Sequence, residues 1–187
     1  MLGFFENLRA RRDATKAQDI VRQLEEEVAR CCSLSDEELL SLSDEELLAT
    51  AWVRARKFAD KFDTERRALD NMEEQQRIFY IVYYYEQEVN TEGLCCYFAN
   101  TSRETALFLR EALKTVGANE HKALFEDFLR ENKVATASLS TFAVASSKEF
   151  KRLEREYPFD EFNSAFYALS PMTECLAAYV RENIFAF

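Results

Sequence analysis

The stretch IFYIVYYYEQEVN, residues 78–90, decides how the chain folds. From Ile78 to Tyr85 every side chain is apolar or aromatic, so a helix built from it has no polar strip to turn towards water. Such a helix belongs at the centre of a domain, covered on several sides. A buried strand would also accept the run, but its continuity with Met72–Arg77 makes a long helix the better reading. Asn71 and Glu74 stand at capping-box spacing in front of it. Its end is expected near Asn90, with Gly93 free to take the positive φ of a reversal.

Composition extends that reading to the whole chain. Of 187 residues 48% are apolar, with 16 Phe and 8 Tyr, enough for one core or a core with a helical arm. Three Gly and two Pro are too few to turn a sandwich or barrel repeatedly. The expectation is an all-α fold, a multi-helix domain over residues 71–187 with an N-terminal helical extension over 1–70.

Upstream, Ile20, Val21, Leu24, Val28 and Cys31 recur at three- and four-residue spacing and mark one face of a helix from Ala14 to Cys32. Then SLSDEELLSLSDEELL, residues 33–48, writes one octapeptide twice. Each copy is a helix-initiation unit. Ser35 and Glu38 form a capping box inside the apolar staple Leu34–Leu39, and Ser43 and Glu46 repeat it inside Leu42–Leu47. A short helix is expected to begin at Asp36 and a longer one at Asp44, running through Trp52 and Phe58 towards Asp70.

Downstream, Thr101 and Glu104 form another capping box, for a helix that Gly117 closes. Asn119 is expected to cap the next, through His121 to Asn132. Residues 133–147 read as strand or loop. A helix over Lys148–Glu156 stops ahead of Pro158, and Ser170 with Pro171 opens a last one towards Asn183.

The opening MLGFFENLRARR lacks the long apolar run and cleavage site of a secretory signal. No segment approaches the roughly 20 apolar residues of a membrane span. Phe4, Phe5 and Leu8 are expected to pack on the body in preference to anchoring in a bilayer. Cytoplasmic location is the default, and five cysteines, an odd number, agree with it. The pairs Cys31–Cys32 and Cys95–Cys96 lack metal-site spacing, and most of the five read as small buried hydrophobes.

EVNTEGLCCYFANTS, residues 88–102, resembles the signature of a bacterial family whose best-known member type is a DNA mimic that sequesters a helix-turn-helix transcription factor. That signature runs roughly E-V-N-N-G-G-F-x-Q-Y-F-x-N. Glu88, Val89, Asn90, Gly93, Tyr97, Phe98 and Asn100 match it without a gap. The similarity continues through RETALFLREALKTVGAN and PFDEFNSAFYAL, and so covers about residues 72–187. The chain departs at Thr91 and Glu92, where Asn-Gly is usual, at Leu94 for an aromatic, and at Cys96 for glutamine. The resemblance implies a helical domain and an acidic, non-catalytic protein-interaction role, with a helix-turn-helix regulator as partner.

The residues themselves carry several readings. A net charge of −10 opposes direct binding to nucleic acid or to an anionic membrane. Asp36, Glu37, Glu38, Asp44, Glu45 and Glu46, extended by Glu25–Glu27, are candidate stand-ins for DNA phosphates. Capping and the helix dipole explain the same acids as a merely solvated face. Glu88, Asn90, Gly93, Tyr97, Phe98 and Asn100 read chiefly as a structural corner. The alternative makes Asn90, Asn100 and Tyr97 line a partner pocket. An enzyme would have to use Cys95 or Cys96 with His121, which itself reads as a surface or first-turn residue. No metal or cofactor motif is present; Glu86, Glu88 and Glu92 as a cation cluster are more simply helix-end caps. The closing IFAF, residues 184–187, is the candidate for docking, on its own core or in a homodimer.

Overall fold

The computed structural model describes the backbone of residues 2–187 and the side chains from residue 18 onward. Among the described residues there is no strand. The α-helices are α1 (Leu2–Ser33), α2 (Asp36–Leu40), α3 (Asp44–Ala59), α4 (Glu65–Asn71), α5 (Glu74–Ala99), α6 (Ala106–Thr115), α7 (Asn119–Glu131), α8 (Ser147–Glu156), α9 (Phe159–Tyr167) and α10 (Thr173–Glu182). Short 3-10 turns over Thr101–Thr105, Thr136–Phe142 and Ile184–Ala186 join or close them.

The aromatic run forms α5, and α3, α6, α8, α9 and α10 all pack on it. Phe79, Tyr80, Val82, Tyr85, Val89, Tyr97 and Phe98 are wholly buried. Each large apolar side chain so enclosed stabilises the fold by about 1.5–3 kcal/mol. Around Tyr85 the rings of Tyr97, Phe125 and Phe166 lie at centroid distances of 5.2, 5.7 and 5.7 Å, edge to face. One core takes residues from both sides of position 70, since Leu39, Leu47, Ala51 and Leu69 share it with α5.

Both repeat helices begin at the expected residues, each with its capping box complete. The helix that opens at Asp44 ends at Ala59, well short of Asp70, because Thr64 starts a new one by accepting from the Arg67 amide. Asn71 does not cap α5. It closes α4, donating its side-chain amide to the Arg67 carbonyl at 2.8 Å, and α5 starts behind Glu73 with no side-chain cap. Near the expected end of the aromatic helix Gly93 takes the expected positive φ. At φ 82° and ψ 171° the first helical segment of α5 stops, and a second, across a kink, runs on to Ala99.

Thr101 caps nothing, and a 3-10 turn leads into α6. Gly117 closes that helix at φ 83°, with the Ala118 amide reaching back to the Leu113 carbonyl. Asn119 is the first residue of α7, one place inside the expected cap. Residues 136–142 form a 3-10 turn pinned by buried Leu139 and Phe142. Pro158 both stops α8 and precedes α9, a helix that no cap signal in the sequence marks. The last helix starts at Thr173, past Ser170 and Pro171, because buried Glu86 of α5 accepts the Met172 amide at 2.8 Å.

At the other end of the chain, α1 contacts α3. Cys31 is buried there, but Ile20, Val21 and Leu24 stay 57%, 52% and 60% exposed. The expected apolar face therefore packs only at its last turn, where Cys31 reaches Thr50. Phe4, Phe5 and Leu8 lie outside the described side chains. The closing IFAF docks on its own chain. Phe187 stands edge-on to Phe79 at 5.3 Å, and only Phe185 points fully outward, 72% exposed.

Candidate functional site

The acidic repeat divides into two kinds of carboxylate. Glu38 accepts from the amide and hydroxyl of Ser35 at 2.7 and 3.0 Å, and Glu46 does the same with Ser43 at 3.1 and 2.8 Å. Those bonds hold both carboxyls below their ordinary range. Asp44 is half-exposed and paired with Arg181 of α10 at 2.5 Å. The same guanidinium also reaches the Leu42 carbonyl at 3.0 Å. That leaves Asp36, Glu37 and Glu45, which face solvent and have no ion-pair partner among the described residues. Along α1, Glu26 and Glu27 are matched by Arg22 and Arg30, whereas Glu25 has no ion-pair partner among the described residues.

Position of the repeat is fixed by Arg54. Its guanidinium donates to the main-chain oxygens of Cys31 at 2.7 Å, Phe187 at 2.7 Å and Leu34 at 2.5 Å. One side chain on α3 thus ties together the end of α1, the entry to α2 and the last residue. Nothing in the local spacing of Arg54 or Arg181 signals these partners, which lie far away in sequence.

The family-like corner is built differently from its sequence reading. Gly93 is required by its φ, and a Cβ there would stand 2.5 Å from Asn163 Nδ2. The amide that the kink frees, at Leu94, donates to Asn163 Oδ1 at 3.0 Å. The backbone of this corner is thus held by Asn163 of α9, whereas Asn90 is exposed. Asn100 instead donates to Glu88 at 3.3 Å, and Ser102 reaches the same carboxylate at 3.4 Å. Tyr97 is wholly buried, its hydroxyl 2.6 Å from that of Thr105, and Phe98 is enclosed by rings from α7 and beyond. Neither lines a surface.

The residues named for catalysis are not brought together. Burial pushes the Cys95 thiol up to about 12, and burial with the nearby Glu92 charge does the same to Cys96. Both are weak nucleophiles at neutral pH. His121 is buried, not on the surface, because its ring packs edge-on to Phe166 at 5.2 Å. Desolvation lowers its pKa. It shares a shallow groove with Cys175, away from the Cys95–Cys96 pair. Of the five cysteines, Cys31 and Cys95 are buried, Cys96 and Cys175 half-buried and Cys32 exposed, so fewer are core residues than expected. Glu86, Glu88 and Glu92 divide between α10, the Asn100 corner and Cys96. Among the described residues no group of three potential metal ligands assembles, and no helix is long and apolar enough to cross a membrane.

No curated protein and no solved structure matches the chain significantly. A family model described as DMP19-like protein matches residues 70–183, more than half of the chain, and the chain belongs to that family.

Proposed function

We propose that this protein is a non-catalytic, acidic interaction module that engages the cationic surface of a DNA-binding regulator. The family is of the DNA-mimic type and is not a known enzyme family. The observation that carries the reading is the set Asp36, Glu37 and Glu45, exposed on two capped helix starts and unmatched by cations among the described residues. Charges held on rigid elements keep their spacing without further ordering cost, which is what a stand-in for phosphates needs. The repeat lies outside the family match at 70–183, so its use is proposed here for this chain in particular. The repeat, residues 33–48, then acts as the charged face, held on the family domain by the core that Leu39, Leu47, Ala51 and Leu69 share with α5. A homodimer through IFAF has less support, since Phe187 packs on Phe79 of the same chain.

The test is capture of basic proteins from a lysate at low salt, followed by a salt gradient, with D36N/E37Q/E45Q as control. This triple variant keeps both capping boxes and the Asp44–Arg181 pair. The reading expects a helix-turn-helix protein that elutes with rising salt and does not bind the control. Equal capture by both forms contradicts it.

A further inference from the structure

A second surface, beside the repeat, has the chemistry of a receptor for a single cationic side chain. A groove of about 370 Å³ is lined by Trp52 of α3, by Tyr83, Tyr84, Glu88 and Glu92 of α5, and by Asn100 at its end. Its volume falls in the range of ligand pockets, roughly 300–1,000 Å³. The Trp52 ring lies 5.3 Å from Tyr83 and 5.4 Å from Tyr84, and all three are only half-buried. Tyr84, Glu88 and Glu92 follow at four-residue spacing, so aromatic faces and carboxylates share one side of α5.

The arginines of α3, and the one beside Asn100, are engaged elsewhere. Arg54 is spent on three main-chain oxygens, Arg56 on Tyr80, Asp60 and Glu65, and Arg103 on the Ala99 and Asn100 carbonyls. Among the described residues the cation–π contacts are Lys61 on Phe58 and Arg66 on Phe108, neither in the groove. Glu88 and Glu92 have no ion-pair partner among the described residues. Glu88 is nevertheless held in place, by Asn100 and Ser102.

We infer that this groove binds an arginine side chain of the partner protein, its guanidinium laid on the Trp52–Tyr83–Tyr84 rings and its donors directed to Glu88 and Glu92. Arginine suits the site better than lysine because its planar fork both stacks on aromatic faces and pairs with carboxylates. Trp52 lies one heptad beyond Glu45 on α3, on the same face and about 10 Å further along the helix axis. The groove therefore continues the acidic face of the repeat. The inference rests on the proposed interaction role and assigns that role a specific contact. Arginines that hold DNA phosphates are the groups a regulator would offer here.

The test needs no partner. Trp52 is the sole tryptophan, so its fluorescence reports the groove directly. The probes are N-acetyl-arginine amide, N-acetyl-citrulline amide and free L-arginine, at low salt. The acetylated arginine is expected to give a saturable change with a dissociation constant on the order of millimolar. The uncharged citrulline analogue, and the E88Q/E92Q variant with its helical circular dichroism intact, should bind at least about tenfold more weakly. The D36N/E37Q/E45Q variant should bind the probe as the parent does, which separates failure of the groove from failure of the repeat. No saturable response, or equal response to citrulline, overturns the assignment. Tighter binding of free L-arginine than of its blocked form overturns the partner-protein source in favour of a small metabolite.

Discussion

Asn163 occupies the space that a side chain at Gly93 would need, its Nδ2 2.5 Å from the position of a Cβ, while its Oδ1 holds the Leu94 amide at 3.0 Å. The glycine and the asparagine, on α5 and α9, form one device. The glycine lets α5 kink, and the asparagine satisfies the amide that the kink exposes.

Gly93→Ala therefore meets both an unfavourable φ and a steric conflict, and should destabilise the protein by about 2–4 kcal/mol. Asn163→Ala leaves the Leu94 amide unpaired and should cost about 1–3 kcal/mol. Urea unfolding of both variants and of the double variant checks this. The double should cost less than the sum, because the clash and the bond involve the same side chain. Strict additivity would show that the two residues are not coupled.

Arg54→Lys should fail to replace Arg54. Three main-chain oxygens, from the end of α1, the entry to α2 and the last residue, converge on one planar guanidinium, and an ammonium cannot span them. Its loss should cost about 2–4 kcal/mol. Hydrogen exchange should quicken first in residues 31–35 and 184–187, with α7 unaffected. Uniform quickening across the helices would contradict the local role.

The two capping boxes make stability depend on acid. Glu38 and Glu46 have folded pKa values below their ordinary 4.5, from the Ser35 and Ser43 bonds. An unfolded chain then binds more protons, so this contribution is complete above the ordinary value and lost as pH falls through the depressed one. S35A/S43A should cost about 1 kcal/mol per cap at neutral pH. It should also flatten the acid limb of the stability profile below pH 4.5. An unchanged limb would refute the linkage.

Glu86 carries the opposite sign. Burial raises its pKa, partly offset by the Met172 amide. Its folded pKa lies above the unfolded one, so stability is fullest below the ordinary carboxyl range and declines as pH rises through the folded value. Glu86→Gln keeps an acceptor for the Met172 amide and removes the charge. The variant should exceed the parent in stability at pH 8, and the margin should shrink towards pH 4. A less stable variant at pH 8 would show that the charge itself is needed to cap α10.

The features readable in the sequence were those written in neighbouring residues. Ser35–Glu38 and Ser43–Glu46 specify their helix starts within four positions, and the structure keeps both. The all-helical core followed from the unbroken aromatic run of α5. Where a partner lies across the fold, local spacing misleads. Asn71 has the spacing of a cap for α5 but closes α4, and Ser170 that of a cap for α10 where Glu86 serves from another helix. Asp44 reads as free as Glu45, yet it pairs with Arg181 from 137 residues away. The aromatic–carboxylate groove was hidden for the same reason, since Trp52 and Glu88 meet only when α3 packs on α5.

An acidic face that occupies a regulator's DNA-binding surface must compete with DNA for it. A helix-turn-helix regulator captured by this protein is loaded with labelled operator DNA and titrated with the parent and with D36N/E37Q/E45Q, at stepped salt. The parent should release the DNA, the triple variant should need at least about tenfold more protein, and rising salt should weaken both contacts. Binding of the protein and the DNA to the regulator at once, without displacement, would contradict it.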